Sequence, residues 1–203
     1  MSDSSKTTFV LHGGGTSTQN ENNKQFFGYA GKLKGEVVNV LFIYFHRGEE
    51  LGSILNLQNK NQNQFQEYNL GKNFQFAVAS EEDDKFRRLI EWADVIFAPG
   101  GKTFPIIDAY RRIKDFEKLI KGKLYMGSSG GGYAVCQYFF ENSYPGVYAG
   151  MGYVPYKMIA HVNSNYENAD QNTWKERIDK LNNYREQLPL LALEETEFKV
   201  IEI

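Results

Sequence analysis

The segment 123-KLYMGSSGGGYAVCQYFF-140 decides how the rest of the chain is read. An apolar run, Leu124-Tyr125-Met126, ends in Gly127; two serines and three glycines follow, then an apolar segment of helical length. That order suits a strand, a sharp turn and a helix. Within it, 127-GSSGG-131 fits G-x-S-x-G with Ser129 at the centre. A nucleophile elbow needs small residues on both sides of the serine, because the chain turns so sharply that larger side chains would collide. The next residue, Gly130, opens the helix, and its N–H can stabilise an oxyanion with help from the helix dipole. Ser128 lacks the symmetric glycine spacing and is expected to point elsewhere. The plain alternative is a flexible glycine turn without chemistry.

Outward from this turn, apolar runs of strand length occur at 8-TFVLH-12, 37-VVNVLFIYF-45, 74-FQFAVA-79, 94-DVIFAP-99, 123-KLYMG-127, 190-LLALE-194 and 198-FKVIEI-203. Helical spacing fills the gaps. In 82–93, Phe86, Leu89, Ile90 and Ala93 recur at steps of three and four, behind Ser80 and a run of acids. Residues 103–122 read as a helix or helix pair ended by Gly122. Residues 173–187 are amphipathic through Trp174, Ile178, Leu181 and Tyr184. The Asn- and Gln-rich stretches 19–24 and 55–69 read as solvated helix faces or loops. Strands alternating with helices imply an α/β fold, a mainly parallel sheet with helices on both faces, with residues 1–203 as one domain. Ligands of such sheets bind beyond the carboxyl ends of the strands. The clusters Gly13–Gly15, Gly100–Gly101 and Gly130–Gly132 each follow a predicted strand, which points to one composite site.

Composition narrows the classes. The 203 residues are 41% hydrophobic and 24% charged, ordinary for a soluble globular protein. A formal net charge of −2 argues against nucleic-acid binding through a broad basic field. The single cysteine, Cys136, allows neither an intrachain disulfide nor a cysteine zinc cluster, and is read as a packing residue inside the helix after the elbow. The polar start shows no signal peptide, and no apolar run approaches the roughly 20 residues of a membrane span. A reduced, cytoplasmic protein is expected.

A serine at its ordinary pKa needs a base. The three histidines are His12, His46 and His161. His161 lies after the elbow in 157-KMIAHVNSNY-166; His12 and His46 follow predicted strands and could also approach the site. His46, beside Arg47 and Glu49, reads as a histidine with no catalytic task. A second oxyanion donor is expected from 99-PGGKTF-104, which could equally be a phosphate- or carboxylate-binding turn. The histidines have no short metal-ligand spacing, so neither metal nor cofactor is expected.

The order 94-DVIFAPGGKTF-104, 124-LYMGSSGGGYAVC-136, 150-GMGYVPYKMIAHV-162 resembles the peptidase E (aspartyl dipeptidase) family, with cyanophycinases as wider relatives. That family has a G-G-N-T-F-like turn, a G-x-S-A-G elbow and a P-H segment behind a glycine- and leucine-rich stretch. The resemblance runs from about Glu91 to about Leu193. It implies a three-layer sandwich like that of class I glutamine amidotransferases (flavodoxin-like), and a serine peptidase acting on a short peptide. It also implies Ser129 as nucleophile, Gly130 and Gly101 as oxyanion donors, and His161 as general base. The family's acid lies between serine and histidine and holds the imidazole tautomer. Between Gly130 and Ala160 the one acid is Glu141, which becomes the expected third member, with Asn163, Asp170 or no residue as alternatives.

Departures from the pattern are Ala160 for the proline and Val162 for the aromatic around the histidine. The arginine that reads an amino-terminal aspartate aligns with Trp174, with Arg177 one turn on, which puts aspartate specificity in question. The expected partner is a small peptide substrate, with no nucleic acid and no membrane, and with a homodimer left open. Two other readings stand beside this one. An α/β-hydrolase esterase would use 12-HGGG-15 as its oxyanion loop. A retired enzyme would bind a small ligand or partner through 13-GGGTST-18 and 100-GGKT-103.

Overall fold

Alternation along the predicted strands sorts their side chains onto two faces, and the computed structural model, which describes residues 6–45, 51–166 and 169–203, shows what covers each face. The larger sheet contains β1 (Thr8–His12), β2 (Val37–Phe42), β3 (Asn73–Val78), β4 (Val95–Ala98), β5 (Leu124–Ser128) and the last strand, β10 (Phe198–Glu202). Their order is β10-β1-β5-β4-β2-β3, all parallel except β10, which runs antiparallel to β1. Val10, Val40, Phe42, Phe97 and Met126 face α1 (Glu21–Gly28) and α2 (Leu51–Glu67), whose Phe26, Phe27 and Phe65 fill that layer. Leu11, Leu41, Ile96 and Tyr125 face the other way, against α3 (Asp83–Trp92), α4 (Thr103–Arg112) and α5 (Phe116–Leu119). This is the α/β three-layer arrangement expected. Each fully buried phenylalanine contributes roughly 1.5–3 kcal/mol to it.

A second sheet was not anticipated. It is built from β6 (Cys136–Glu141), β7 (Gly146–Ala149), β8 (Val154–Val162) and β9 (Leu190–Glu194), in the order β7-β6-β8-β9. One face, with Phe139, Met158 and Ala160, joins the core of the larger sheet. The other, with Tyr138, Phe140 and Ile159, packs on Trp174 and Leu181 of α7 (Gln171–Asn182). The helix expected after the elbow is therefore only one turn, α6 (Gly130–Tyr133), and Cys136 begins a strand instead of lying in a helix. The physical reason is that 136-CQYFFE-141 is buried on both faces, and a short run apolar all round has no periodicity to separate strand from helix. Pro155 and the glycines at 150 and 152 hide β8 in the same way, by looking like turn signals. The Asn- and Gln-rich 55–69 stretch lies mostly in α2, and the side chain of Asn20 caps α1 by accepting from Asn23 N–H.

Candidate active site

Ser129 sits at the turn between β5 and α6 with φ 46° and ψ −114°, a backbone conformation that costs a non-glycine residue on the order of 1–3 kcal/mol. The small neighbours explain how it is held. A Cβ on Gly127 would lie 2.7 Å from Gly131 O, and one on Gly130 would run into the carbonyl of Gly101. Ser129 N–H donates to His12 O at 2.9 Å, tying the elbow to the end of β1.

Ser129 Oγ lies 3.0 Å from His161 Nε2. His161 Nδ1 lies 3.1 Å from Glu195 Oε1. The three form a linear serine–histidine–carboxylate relay in which Nδ1–H donates to the carboxylate and Nε2 is left to accept from the serine. His161 itself has φ 62° and is pinned on both sides: its N–H donates to Gly13 O at 2.8 Å, and its carbonyl accepts from Ser164 Oγ at 2.6 Å. Tyr166 stacks on the imidazole with centroids 4.3 Å apart. The floor under the ring is Gly14, where any Cβ would collide with His161 Cε1. Glu195 is carried by the turn from β9 to β10, and that turn is anchored by Thr196 N–H donating to Gly14 O at 2.8 Å.

His12 is the hidden support. It is fully buried, and Gly14 N–H donates to its Nδ1 at 3.1 Å, so the ring proton must be on Nε2, which donates to Asn23 Oδ1 at 2.8 Å. Asn23 Nδ2 then donates to Gly15 O and Thr18 O, at 2.9 and 2.6 Å. Burial pushes the His12 pKa down to about 4; the hydrogen bond to Asn23 opposes that push and the nearby His161 adds to it. The competing serine, Ser128, reaches His12 Nδ1 only at 3.5 Å, and that nitrogen already accepts from Gly14. Ser129 with His161 is the better-formed pair. The 12–15 loop, which the esterase reading needs as an oxyanion loop, lies instead beneath the histidine.

The model of peptidase family S51 matches residues 9–202. The chain belongs to peptidase family S51. It is accordingly a peptidase, and so a hydrolase. Two solved structures share its fold. One is a peptidase from an acI-B1 Actinobacterium, 16% identical, with a TM-score of 0.68 over 96% of this chain and 82% of that one. The other, from Listeria monocytogenes EGD-e and assigned as a peptidase E protein, is 16% identical, with a TM-score of 0.66 over 98% of each chain. No curated protein matches the sequence.

Within this S51 site the expected partner of His161, Glu141, needs correcting. Glu141 ends β6, where its carboxylate accepts from Thr103 Oγ1 at 2.9 Å and from Ser143 N–H at 3.2 Å. It lines the same cleft as Ser129 but does not bond the histidine, whose far nitrogen is taken by Glu195. The alternatives named for that role also lie elsewhere: Asn163 Nδ2 donates to Glu194 Oε1, and Asp170 caps α7. The one sequence hint for Glu195 is its place just past the carboxyl end of a predicted strand, which does not by itself say that the turn meets His161. His46 lies outside the described residues. Arg177 is buried on the rings of Trp174 and Phe140, and its Nη1 donates to Asn142 Oδ1 at 3.0 Å. Cys136 is buried, and burial pushes its thiol up, which leaves it inert packing. Among the described residues no cluster of His, Cys, Asp and Glu could hold a metal, and no helix is long and apolar enough to cross a membrane.

The cleft holding Ser129 has a volume of about 270 Å³, small for a ligand site. Gly100 and Gly101 line one side, Glu141 and Asn142 another, and Lys60 and Asn61 of α2 a third.

Proposed function

We propose that this S51 member is a serine peptidase that cleaves a short peptide through an acyl-enzyme on Ser129. The observation that carries the reading is the relay itself: Ser129 Oγ to His161 Nε2 at 3.0 Å, and His161 Nδ1 to Glu195 at 3.1 Å. His161 takes the serine proton as Oγ attacks the carbonyl, then returns it to the leaving amine, while Glu195 holds the tautomer and stabilises the imidazolium. The N–H groups of Gly130 and Gly101 are the proposed oxyanion donors. The first belongs to the opening turn of α6, whose N–H groups have no intrahelical acceptor. One such donor is typically worth about 3 kcal/mol in the transition state. Glu141, buried at the cleft wall, is proposed to take the amino-terminal ammonium of the substrate, which the small cleft volume also suits.

The retired-enzyme reading draws on an incomplete triad, and the contact of Glu195 with His161 Nδ1 at 3.1 Å favours the peptidase over it. Fluorophosphonate labelling tests the proposal. Wild type should label and Ser129→Ala should not. Glu195→Gln should label on the order of a hundredfold or more slowly, as loss of the orienting acid does in other triads. Labelling that survives Ser129→Ala would sink the assignment.

A further inference from the structure

A second cavity, of about 630 Å³, opens beside the cleft. Gly101, Glu141 and Tyr166 line both, so the two meet at the Glu141 carboxylate. The walls of the second are aromatic. Phe104 and Tyr148 meet edge to face with centroids 5.2 Å apart, and Tyr144 and Tyr166 complete the enclosure. Phe104 is 37% exposed and Tyr144 60%, so two of these rings are presented to solvent next to the reactive serine. Exposed apolar surface rimmed by polar groups marks a place where something binds. Among the described residues, Tyr144 contributes to none of the buried clusters, and Phe104 meets the core at Phe139, with ring centroids 6.1 Å apart.

We infer that this cavity receives the side chain of the substrate's amino-terminal residue, and that an aromatic or large apolar side chain is preferred there. The inference rests on the reading of Ser129 as nucleophile and Glu141 as ammonium anchor. The order of contacts then follows from the shared lining. The ammonium sits on Glu141, the scissile carbonyl lies between Ser129 and Gly101, and the side chain passes beyond Glu141 onto the rings of Phe104 and Tyr148. An aspartate at that position would place its carboxylate among the aromatic walls beyond Glu141, where it loses hydration without gaining a buried cation. Lys102 also lines the cavity, but it is exposed, and an ion pair with a solvent-exposed lysine contributes little. The leaving residue departs on the opposite side, toward Lys60 and the 15–17 loop.

The experiment is protection of Ser129 from fluorophosphonate by phenylalaninamide, alaninamide and aspartic acid α-amide, with direct binding of each followed by calorimetry. Phenylalaninamide should protect and bind at a concentration at least about tenfold lower than either of the others. In Tyr148→Ala, and in Phe104→Ala, that ratio should fall toward one; because the ratio is taken within each variant, a general loss of folding or reactivity cancels. Equal protection by all three amides, or stronger protection by the aspartyl compound, overturns the inference. A wild type that fails to label removes the nucleophile assignment alone, and calorimetry then decides the side-chain preference in the same way. A change of sedimentation coefficient in Tyr144→Ala without any amide preference would assign the face to a second copy of the chain, also against the inference.

Discussion

His12 shows how one buried side chain can support a site whose cleft it does not line. Its carbonyl holds the Ser129 N–H, and its Nδ1 holds the Gly14 N–H on which the His161 ring rests. Protonation at Nδ1 would end the second of these bonds, so only the neutral ring fits. The consequence for stability has a definite sign. The unfolded chain protonates this histidine near its ordinary value of 6.5, the folded chain only near about 4. Between those values the unfolded state binds more protons, so stability rises with pH. The contribution, roughly 3 kcal/mol, is complete above pH 6.5 and is lost as pH falls toward 4. Urea midpoints at pH 7.5, 5.5 and 4.5 check it. Wild type should lose more stability over that range than His12→Asn, and taking the difference removes whatever is common to both proteins. Ser129 and His161 were legible because each is announced by neighbours within a few residues. Glu195 was not, because the acid was sought between serine and histidine, and nothing local says that a turn near the chain's end returns to the elbow.

At the scale of elements, α7 keeps the histidine segment in place. Trp174 Nε1–H donates to Ser164 O at 3.0 Å, and Asn142, held by Arg177, donates to Ala160 O at 3.1 Å, one residue before His161. The far end of α7 is fixed by Lys157 of β8, fully buried, whose Nζ donates to Asn182 O at 2.7 Å. A cation there meets both an open carbonyl and the negative end of the helix dipole. Lys157→Met should therefore cost about 1–3 kcal/mol, read as a lower urea midpoint, with faster amide exchange across the last turn of α7 than across the strands of the larger sheet. The amphipathic spacing of Trp174, Ile178 and Leu181 made this helix readable in advance. What it packs against was not readable, because β6 and β8 lack the alternation that marks half-exposed strands.

At the scale of the whole molecule, the relay spans two sheets. Ser129 follows the last residue of β5 in the larger sheet, His161 lies near the end of β8 in the smaller, and Glu195 sits where the chain crosses from one sheet to the other. The parallel α/β body could be read from alternating strands and helices, but the second sheet, and so the way His161 meets Ser129, could not. Polar ties hold its alignment: His161 N–H donates to Gly13 O at 2.8 Å, and a side-chain tie beside it is made by Tyr133. That residue belongs to α6, one turn past Ser129, and its buried hydroxyl accepts from Ala160 N–H at 2.8 Å. Tyr133→Phe keeps the ring stacked on Phe139, with centroids 5.0 Å apart, and removes only that tie. A buried N–H would be left without its acceptor, which costs about 1–3 kcal/mol. The phenylalanine variant should melt lower and label with fluorophosphonate several-fold more slowly, while far-ultraviolet circular dichroism stays as in wild type. Slower labelling with an unchanged fold is what a shift between the sheets produces, since proton transfer from Ser129 to His161 depends on their separation. If the variant melts lower but labels at the wild-type rate, the sheets are held in register by the other ties, His161 N–H on Gly13 O and apolar packing such as Met158 against Gly132, and the hydroxyl contributes stability alone.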